Sequence, residues 1–405
     1  MSYIQIPADI PVLPGCRFDG QRFHPTNTDG SSLYTIEKTI RTPFGSVQVY
    51  EPSYQGVQVE PAMTNKCTCR KVNPTDTTNL IKSGDAAAVL SVVDDAAALT
   101  AAGLIGICTS GKVYKLDNSA GVGVSRVRII GSVTNTNAHS AGVYCRGTTG
   151  TACYLGWDYS GSYEFKNITL TEDYVFYSGL NKTPPTTTAQ VSFSAAAGAV
   201  LYFIMPELVE SAFLTSLIMP NPTEDGLATV TRPADNISFA TPSWLLAHPN
   251  DLGIRMRVIP GAAQNAKHLL SIYTDANNEI SLILNTADVT FRKRAVGTST
   301  DTAATYSHAA DTLFEAILYS SYALGTGIAV RSHNGSVWSD WSAWTAADSA
   351  GAKANTVLTA TARIGAQTAS AGHVYAEFPL TQLVRLPASL TSAEAIQAWM
   401  EALCE

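Results

Sequence analysis

Gly335 to Trp344 reads GSVWSDWSAW, which sets three of the chain's six tryptophans three residues apart among serines and an aspartate. Indole faces beside hydroxyl and carboxylate groups suit carbohydrate. The C–H faces of a sugar ring stack on aromatic rings while its hydroxyls exchange hydrogen bonds with polar neighbours. On a strand, a spacing of three alternates faces, so Trp338 and Trp344 would share one face and Trp341 would take the other. Tyr319, Tyr322 and Arg331 fall on neighbouring expected strands and join the tryptophans as glycan-binding candidates. The competing role for these residues is that of core or subunit-interface anchors.

Other chemistry finds less support. Glycoside cleavage needs two carboxyl groups about 5 to 9.5 Å apart. Glu172-Asp173, Glu207 and Asp340 are available, but no spacing pairs them. The seven histidines are scattered, without HExxH or a close pair of ligand spacing, and Cys67-Thr68-Cys69 is CxC with no second pair at zinc spacing. No GxSxG, Walker loop or GxGxxG between strand and helix occurs, so the sequence indicates neither an enzyme nor a cofactor. Asp275, Asn277 and Glu279 offer oxygens for a calcium ion, against the simpler reading of a polar hairpin tip. Seven cysteines, an odd number, follow no regular disulfide framework.

Composition sets the background. A chain of 405 residues with 45% hydrophobic and 15% charged residues reads as a folded protein of several domains. A formal net charge of -7 argues against a nucleic-acid partner. The one basic triplet, Arg292-Lys293-Arg294, reads as an exposed turn or an edge strand defended by charge. No apolar run of about 18 residues indicates membrane insertion, and Met1 to Gln5 lacks the basic start and apolar core of a signal peptide.

These candidates need elements to hold them. The first fifty residues are rich in proline and glycine with short apolar pieces such as IQIPADIPVL and SVQVY, the signature of an extended arm or a few irregular strands, and residues 1–75 are taken as an arm that packs on something else. VSRVRIIGSV, SYEFKNITLT and AVLYFIMPEL then alternate or run apolar over strand lengths between Gly, Ser, Thr and Asn clusters, which predicts a β-sandwich over 76–232. A second sandwich is predicted over 233–387. There LGIRMRVIP puts Ile254, Met256 and Val258 on one face and Arg255 and Arg257 on the other. LLSIYT and EISLIL flank Asp275 to Asn278 as a hairpin with a four-residue loop. Over 388–405, Thr391-Ser392-Ala393-Glu394 fits a capping box, with Ile396, Trp399 and Leu403 along one face of a short amphipathic helix. The expected fold is all-β: tandem jelly-roll or concanavalin-like β-sandwiches with an extended N-terminal arm and a short C-terminal helix.

Gly56 to Asn65, GVQVEPAMTN, resembles the phrase G-x-x-V-E-P-A-x-T-N of tail and fibre proteins of tailed bacteriophages. Two later stretches, PELVESAFLTSLIMP (Pro206 to Pro220) and ATVTRPADNISF (Ala228 to Phe239), resemble in the same order that family's T-S-Y-I-P and V-T-R-A-A-D phrases. TSLIMP stands in place of TSYIP, and proline replaces the first alanine of the last phrase. The resemblance implies a virion structural protein assembled in the host bacterial cytoplasm. Its arm would hold other virion proteins, its first sandwich would be like a carbohydrate-binding module, and its second would be like laminin G. It also implies attachment to a host-surface glycan and self-association, with a trimer favoured, although no coiled-coil heptads set the number. A collar, baseplate or capsid decoration protein that binds no receptor, and a glycan-cleaving tailspike, stand as alternatives. Physically, Pro61, Arg232 and Asp235 mark domain junctions. Proline lacks the donor a central ladder needs, and an arginine and an aspartate three residues apart can pair.

Overall fold

The computed structural model describes residues 73–404 apart from 106–107, 133–136, 160–161, 184–187, 212–229, 233, 235–236, 262–263 and 369–370. Before residue 73 it describes 16–19, 22–25, 32–33, 35–42, 45–52, 57–59, 61 and 63–67. The chain forms two compact units: unit 1 is Met1–Pro61 with Pro233–Glu405, and unit 2 is Ala62–Arg232. Unit 2 is thus inserted into the sequence of unit 1.

Unit 1 opens with β1 (Cys16–Asp19), β2 (Arg22–Pro25), β3 (Ser32–Leu33), β4 (Thr35–Thr42), β5 (Gly45–Pro52) and β6 (Val57–Val59). Unit 2 supplies β7 (Met63–Asn65), β8 (Leu80–Gly84), β9 (Val89–Asp94), α1 (Ala96–Ala101), β10 (Lys112–Asp117), β11 (Ser125–Ser132) and β12 (His139–Gly147). It continues with β13 (Ala152–Tyr159), β14 (Ser162–Thr169), β15 (Val175–Lys182), β16 (Thr188–Ala195), β17 (Val200–Val209) and β18 (Val230–Arg232). Unit 1 resumes with β19 (Ile237–Ala240), α2 (Ser243–Ala247), β20 (Leu252–Pro260), β21 (Lys267–Asp275), β22 (Asn278–Leu284), β23 (Asp288–Ala295) and β24 (Thr298–Thr305). It ends with β25 (Phe314–Ser321), β26 (Gly325–Ser332), β27 (Thr345–Ala347), α3 (Ala350–Lys353), β28 (Thr361–Ile364), β29 (Ala376–Arg385) and α4 (Ala393–Ala402).

In unit 2 the sheet β15-β12-β17-β10-β9, extended by β7 and β18, packs on the sheet β14-β13-β16-β11-β8. Strand alternation decides the core. Tyr114 and Leu116 of β10 and Leu201 and Phe203 of β17 meet Val127 and Ile129 of β11 and Val191 and Phe193 of β16, all fully buried. Each such burial contributes about 1.5 to 3 kcal/mol. The strands on which the chain enters and leaves this unit pair antiparallel, Met63 opposite Arg232. Close termini are what an inserted domain needs.

Unit 1 is a second sandwich, of β24-β23-β22-β21-β28-β19-β3 against β27-β26-β25-β20-β29-β5-β4, with β6 added to β29. Ile254, Met256 and Val258 face inward, as their alternation predicts, against Leu270, Ile272, Ile280 and Leu282. Much of the segment read as an arm is sheet. Val49 pairs with Val384 and Val57 with Phe378, and Val47, Val49 and Val59 are buried. SVQVY, one of the short apolar pieces, falls in β5 and is completed as a strand by long-range pairing.

The second face of the β20, β25 and β26 sheet is apolar too, because α4 lies on it. Ile396, Trp399, Met400 and Leu403 pack on Val49, Ile317, Tyr319, Ala329 and Val384. Ser392 caps this helix, its Oγ accepting from the Ala395 N–H at 3.2 Å, one residue later than the expected box. Gly253 keeps the seat open: a Cβ there would lie 2.6 Å from Val384 Cγ2 and 2.7 Å from Met400 Sδ.

Two hairpins refine the reading of turns. Asp275 pairs with Asn278, so that loop has two residues and not four, the strands having extended to the turn. Between β23 and β24, Ala295 pairs with Thr298, and Val296 and Gly297 take φ of 49° and 81°. Two left-handed central residues match the twist of a hairpin, but a β-branched residue strains there. Val296 is 84% exposed, so its side chain gains little in return. Val296→Asn is expected to raise unfolding free energy by about 1 kcal/mol, read from the denaturant midpoint.

Candidate functional site

Glu315 is fully buried in β25 and is clamped by three arginines. Arg255 Nε donates to its Oε1 at 2.7 Å, Arg257 Nε to the same oxygen at 3.0 Å, and Arg331 Nε to Oε2 at 2.8 Å. The sheet register sets Arg257, Glu315 and Arg331 in one row across β20, β25 and β26. Arg255 stands two residues away on the same face. Burial by itself would raise the Glu315 carboxyl, yet the guanidinium groups of Arg255, Arg257 and Arg331 hold it below its ordinary value. Surplus positive charge meets aromatic faces. Arg331 lies 4.3 Å from the Trp341 ring centre and 4.8 Å from that of Trp338, and Arg257 lies 5.1 Å from Trp338. Arg255 also donates to the Leu403 carbonyl at the end of α4, at 2.6 Å.

The tryptophan spacing has a backbone cause. The segment leading into β27 runs antiparallel to β26, with Thr345 opposite Ile328. The Ser342 N–H donates to the Val330 carbonyl at 2.8 Å while its Oγ accepts from the Val330 N–H at 3.1 Å. Ser339 does the same with Ser332, at 2.8 Å and 3.0 Å. The segment therefore advances three residues for every two of β26, each serine hydroxyl standing in for a ladder carbonyl. The alternation expected of Trp338, Trp341 and Trp344 fails because they are not on a strand. Instead they approach the same face: Trp338 and Trp341 stack on Arg331, and Trp341 and Trp344 pack on the apolar cluster under α4. Trp344 Nε1 donates to Glu401 Oε1 at 2.7 Å.

Of the glycan candidates, Trp338, Trp341, Trp344, Arg331 and Tyr319 are gathered, the tryptophans and Arg331 half-buried. Tyr319 is fully buried with its ring 5.7 Å from that of Trp344, which closes it to a ligand, and burial pushes its phenol up. Tyr322 is 64% exposed in the turn between β25 and β26. The calcium candidates diverge. The Asn277 N–H donates to Asp275 Oδ1 at 2.7 Å in the exposed turn, whereas Glu279 is fully buried 3.3 Å from His268 Nε2. Among the described residues no group of three His, Cys, Asp or Glu could hold a metal. At the junctions, the units divide after Pro61 and after Arg232. Asp235 and the Arg232 side chain lie outside the described residues.

Unit 2 carries a group that sequence reasoning missed. Arg146 of β12, Tyr202 of β17 and Lys115 of β10 are direct cross-strand neighbours. The Tyr202 ring has Arg146 at 4.1 Å and Lys115 Nζ at 5.7 Å from its centre. Each cation has its own carboxylate. Arg146 Nε donates to Asp95 Oδ2 at 2.7 Å, where the Tyr174 O–H also donates at 2.7 Å, and Lys115 Nζ lies 2.8 Å from Asp117. Hydrogen bonds from Lys115 and then Ser119 hold Asp117 down at about 2. On the same face of β12, the Tyr144 ring meets Phe176 of β15 at 4.9 Å. Lys115, Tyr144, Arg146, Phe176 and Tyr202 are half-buried. The sheet is irregular beside them: Gly142 pairs with Glu207 but Tyr144 with Ile204, and Met205 in the bulge has φ 53°. A non-glycine residue held there costs about 1 to 3 kcal/mol, and bulges re-aim the side chains around them. Residues so far apart in sequence form no motif, so only the sheet reveals them.

No protein-family profile matches the chain, and no curated protein matches it. Among solved structures it is similar to the CBM22-1-CBM22-2 tandem domain of Paenibacillus barcinonensis Xyn10C, with 8% identity and a TM-score of 0.27 over 80% of this chain and 98% of that one. It is similar to domains LG4-5 of the mouse laminin alpha1 chain, with 10% identity and a TM-score of 0.24 over 63% and 85%. A third is TmCBM61 in complex with beta-1,4-galactotriose, with 14% identity and a TM-score of 0.26 over 33% and 89%.

The Glu315 clamp predicts an acid-sensitive unit 1. Its carboxyl is depressed in the folded state, so its stabilisation is full above the unfolded value of about 4.3 and is lost as pH falls through the lower folded value. Glu315→Gln is expected to cost about 3 to 5 kcal/mol at neutral pH, because it leaves buried guanidinium groups without their anion. Urea unfolding across a pH series should show the gap between wild type and variant closing in acid.

Proposed function

We propose that this chain is a non-catalytic attachment protein of a tailed-bacteriophage particle and that unit 2 meets a host-surface glycan. The observation that carries the glycan part is the face of Arg146, Tyr202 and Lys115 with Asp95 and Asp117. Adjacent donors and acceptors are fixed there by one another, and the paired Tyr144 and Phe176 rings stand on the same side of the sheet. Fixing polar groups before binding lowers the entropy that binding must overcome.

The particle part is supported by the order of the GVQVEPAMTN, PELVESAFLTSLIMP and ATVTRPADNISF phrases. Under this reading the chain is held by other virion proteins and associates with copies of itself, as symmetric fibres do. The tryptophan segment serves unit 1 as a fastening and leaves recognition to unit 2.

Adsorption of purified protein to host cells tests the proposal, with binding counted by flow cytometry. Tyr144→Ala is expected to lower cell binding at least about tenfold, a loss near 1.4 kcal/mol, and because Tyr144 also packs on Tyr174, Ile204 and Met205, circular dichroism and melting of the variant separate loss of the contact from loss of the fold. Binding that Tyr144→Ala leaves intact would count against unit 2 as the contact. Wild-type protein that binds no cells, together with gold label confined to the collar or capsid of particles, would favour the alternative of a component without a receptor.

A further inference from the structure

We propose that the outer ends of Arg257 and Arg331 in unit 1, with His333 beside them, form a binding site for the oxyanion of an acidic sugar. This adds a charged contact to the one placed on unit 2, and it rests on the glycan reading above only for the source of the anion.

Charge is out of balance at the clamp. One carboxylate, Glu315, faces three guanidinium groups, and among the described residues no other carboxylate lies within ion-pair distance of any of them. Arg255 also donates to the Leu403 carbonyl at 2.6 Å and to Gln382 Oε1 at 3.4 Å, at the end of α4 where the helix carries partial negative charge. Arg257 and Arg331 have no second acceptor of that kind. They divide the charge of Glu315 between them, so a positive excess remains where they meet Trp338. Asp340, two residues after Trp338, is exposed and pairs with neither arginine, so it leaves that excess in place.

Donors remain on three side chains. Arg257 engages Glu315 through Nε, and its two terminal nitrogens meet no acceptor among the described residues. Its side chain is 30% exposed and neither nitrogen is buried. Arg331 engages Glu315 through Nε and Nη2, which leaves Nη1. His333 Nδ1 accepts from the Gly335 N–H at 3.2 Å, so in the neutral ring the proton sits on Nε2 as a further donor. A sugar hydroxyl could use such donors, but an anion also answers the charge. Guanidinium forks hold carboxylate and phosphate through paired, charge-assisted bonds.

The frame is fixed before any ligand arrives. Register sets Arg257 and Arg331 on either side of Glu315 in one row. The Trp338 ring lies 5.1 Å from Arg257 and 4.8 Å from Arg331, and His333 meets it edge-on at 4.9 Å. A backbone bridge ties His333 to Trp338. Groups held in place by packing lose less entropy on binding. The tryptophan segment thus stays a fastening, and the arginine ends are what it leaves to a ligand.

Calorimetry of the full chain with glucuronate, glucose 6-phosphate, glucose and a hexaglutamate peptide, at low and high sodium chloride, tests the proposal. Arg257→Gln removes the fork, Arg257→Lys removes it while keeping a cation for Glu315, and Arg292→Gln serves as a distant charge control. Circular dichroism and melting of each variant separate loss of the site from loss of the fold. The expected result is that an acidic sugar binds, glucose does not, salt weakens the binding, and Arg257→Gln lowers affinity at least about tenfold while Arg292→Gln leaves it unchanged. Binding of either acid upholds the site, and the tighter of the two identifies the oxyanion. Acid binding that both Arg257 variants keep, or that Arg292→Gln loses equally, overturns it. Hexaglutamate held more tightly than either acidic sugar overturns the sugar as the source. A protein that binds no acid yet still adsorbs to cells sinks this inference alone. One that binds acid and adsorbs to no cells upholds the site and counts against the host-glycan reading instead.

Discussion

A carboxylate without water must be surrounded by its counter-charges, and in unit 1 that requirement falls on Glu315. Removing its partners would leave a buried ion costing several kcal/mol. Strand register brings Arg257 and Arg331 beside it, and Arg255 reaches it from the next position on the same face. Those arginines then decide what else lies on the sheet. Trp338 and Trp341 stack on Arg331, and the Leu403 carbonyl just after α4 receives Arg255. The tryptophan segment and the C-terminal helix, which sequence treats as separate features, thus share one electrostatic centre.

The basic triplet is divided between the two faces of its strand. Strand alternation sends Lys293 inward while Arg292 pairs with Asp301 and Arg294 approaches Glu279. Lys293 is fully buried among neutral acceptors, the Ser320 hydroxyl at 3.2 Å, the Ala352 carbonyl at 2.7 Å and the Asn250 amide oxygen. Burial pushes its ammonium down to about 8. Far from an edge defence, Lys293 ties α3 to the strands beneath it. Unit 2 uses its ion pairs differently. Arg146 with Asp95 and Lys115 with Asp117 remain partly open to solvent.

Legibility in the sequence followed the range of the interaction. The alternation of LGIRMRVIP, the hairpin of β21 and β22 and the amphipathic C-terminal helix depend on neighbours a few residues away, and composition alone carries them. The turn length at Asp275 and the cap at Ser392 moved by one or two residues, because strand pairing and helix packing decide where local elements end. Trp338, Trp341 and Trp344 were visible as a group, but the face they take was not. Their three-residue step comes from serine hydroxyls bonding to β26, which a strand template does not contain.

By itself the sequence determined an all-β chain with two sandwich-forming blocks, a closing helix and the aromatic and charged residues able to do chemistry, since period and composition act locally. Tertiary structure alone decided that the second sandwich takes in strands from before and after the first, and that Arg146, Tyr202 and Lys115 stand in one row. It also brought the three tryptophans beside Arg331 and the apolar cluster under α4. The physical reason is the same in each case: hydrogen-bonded register joins distant strands, and a side chain's task is set by the charges and rings that register brings beside it.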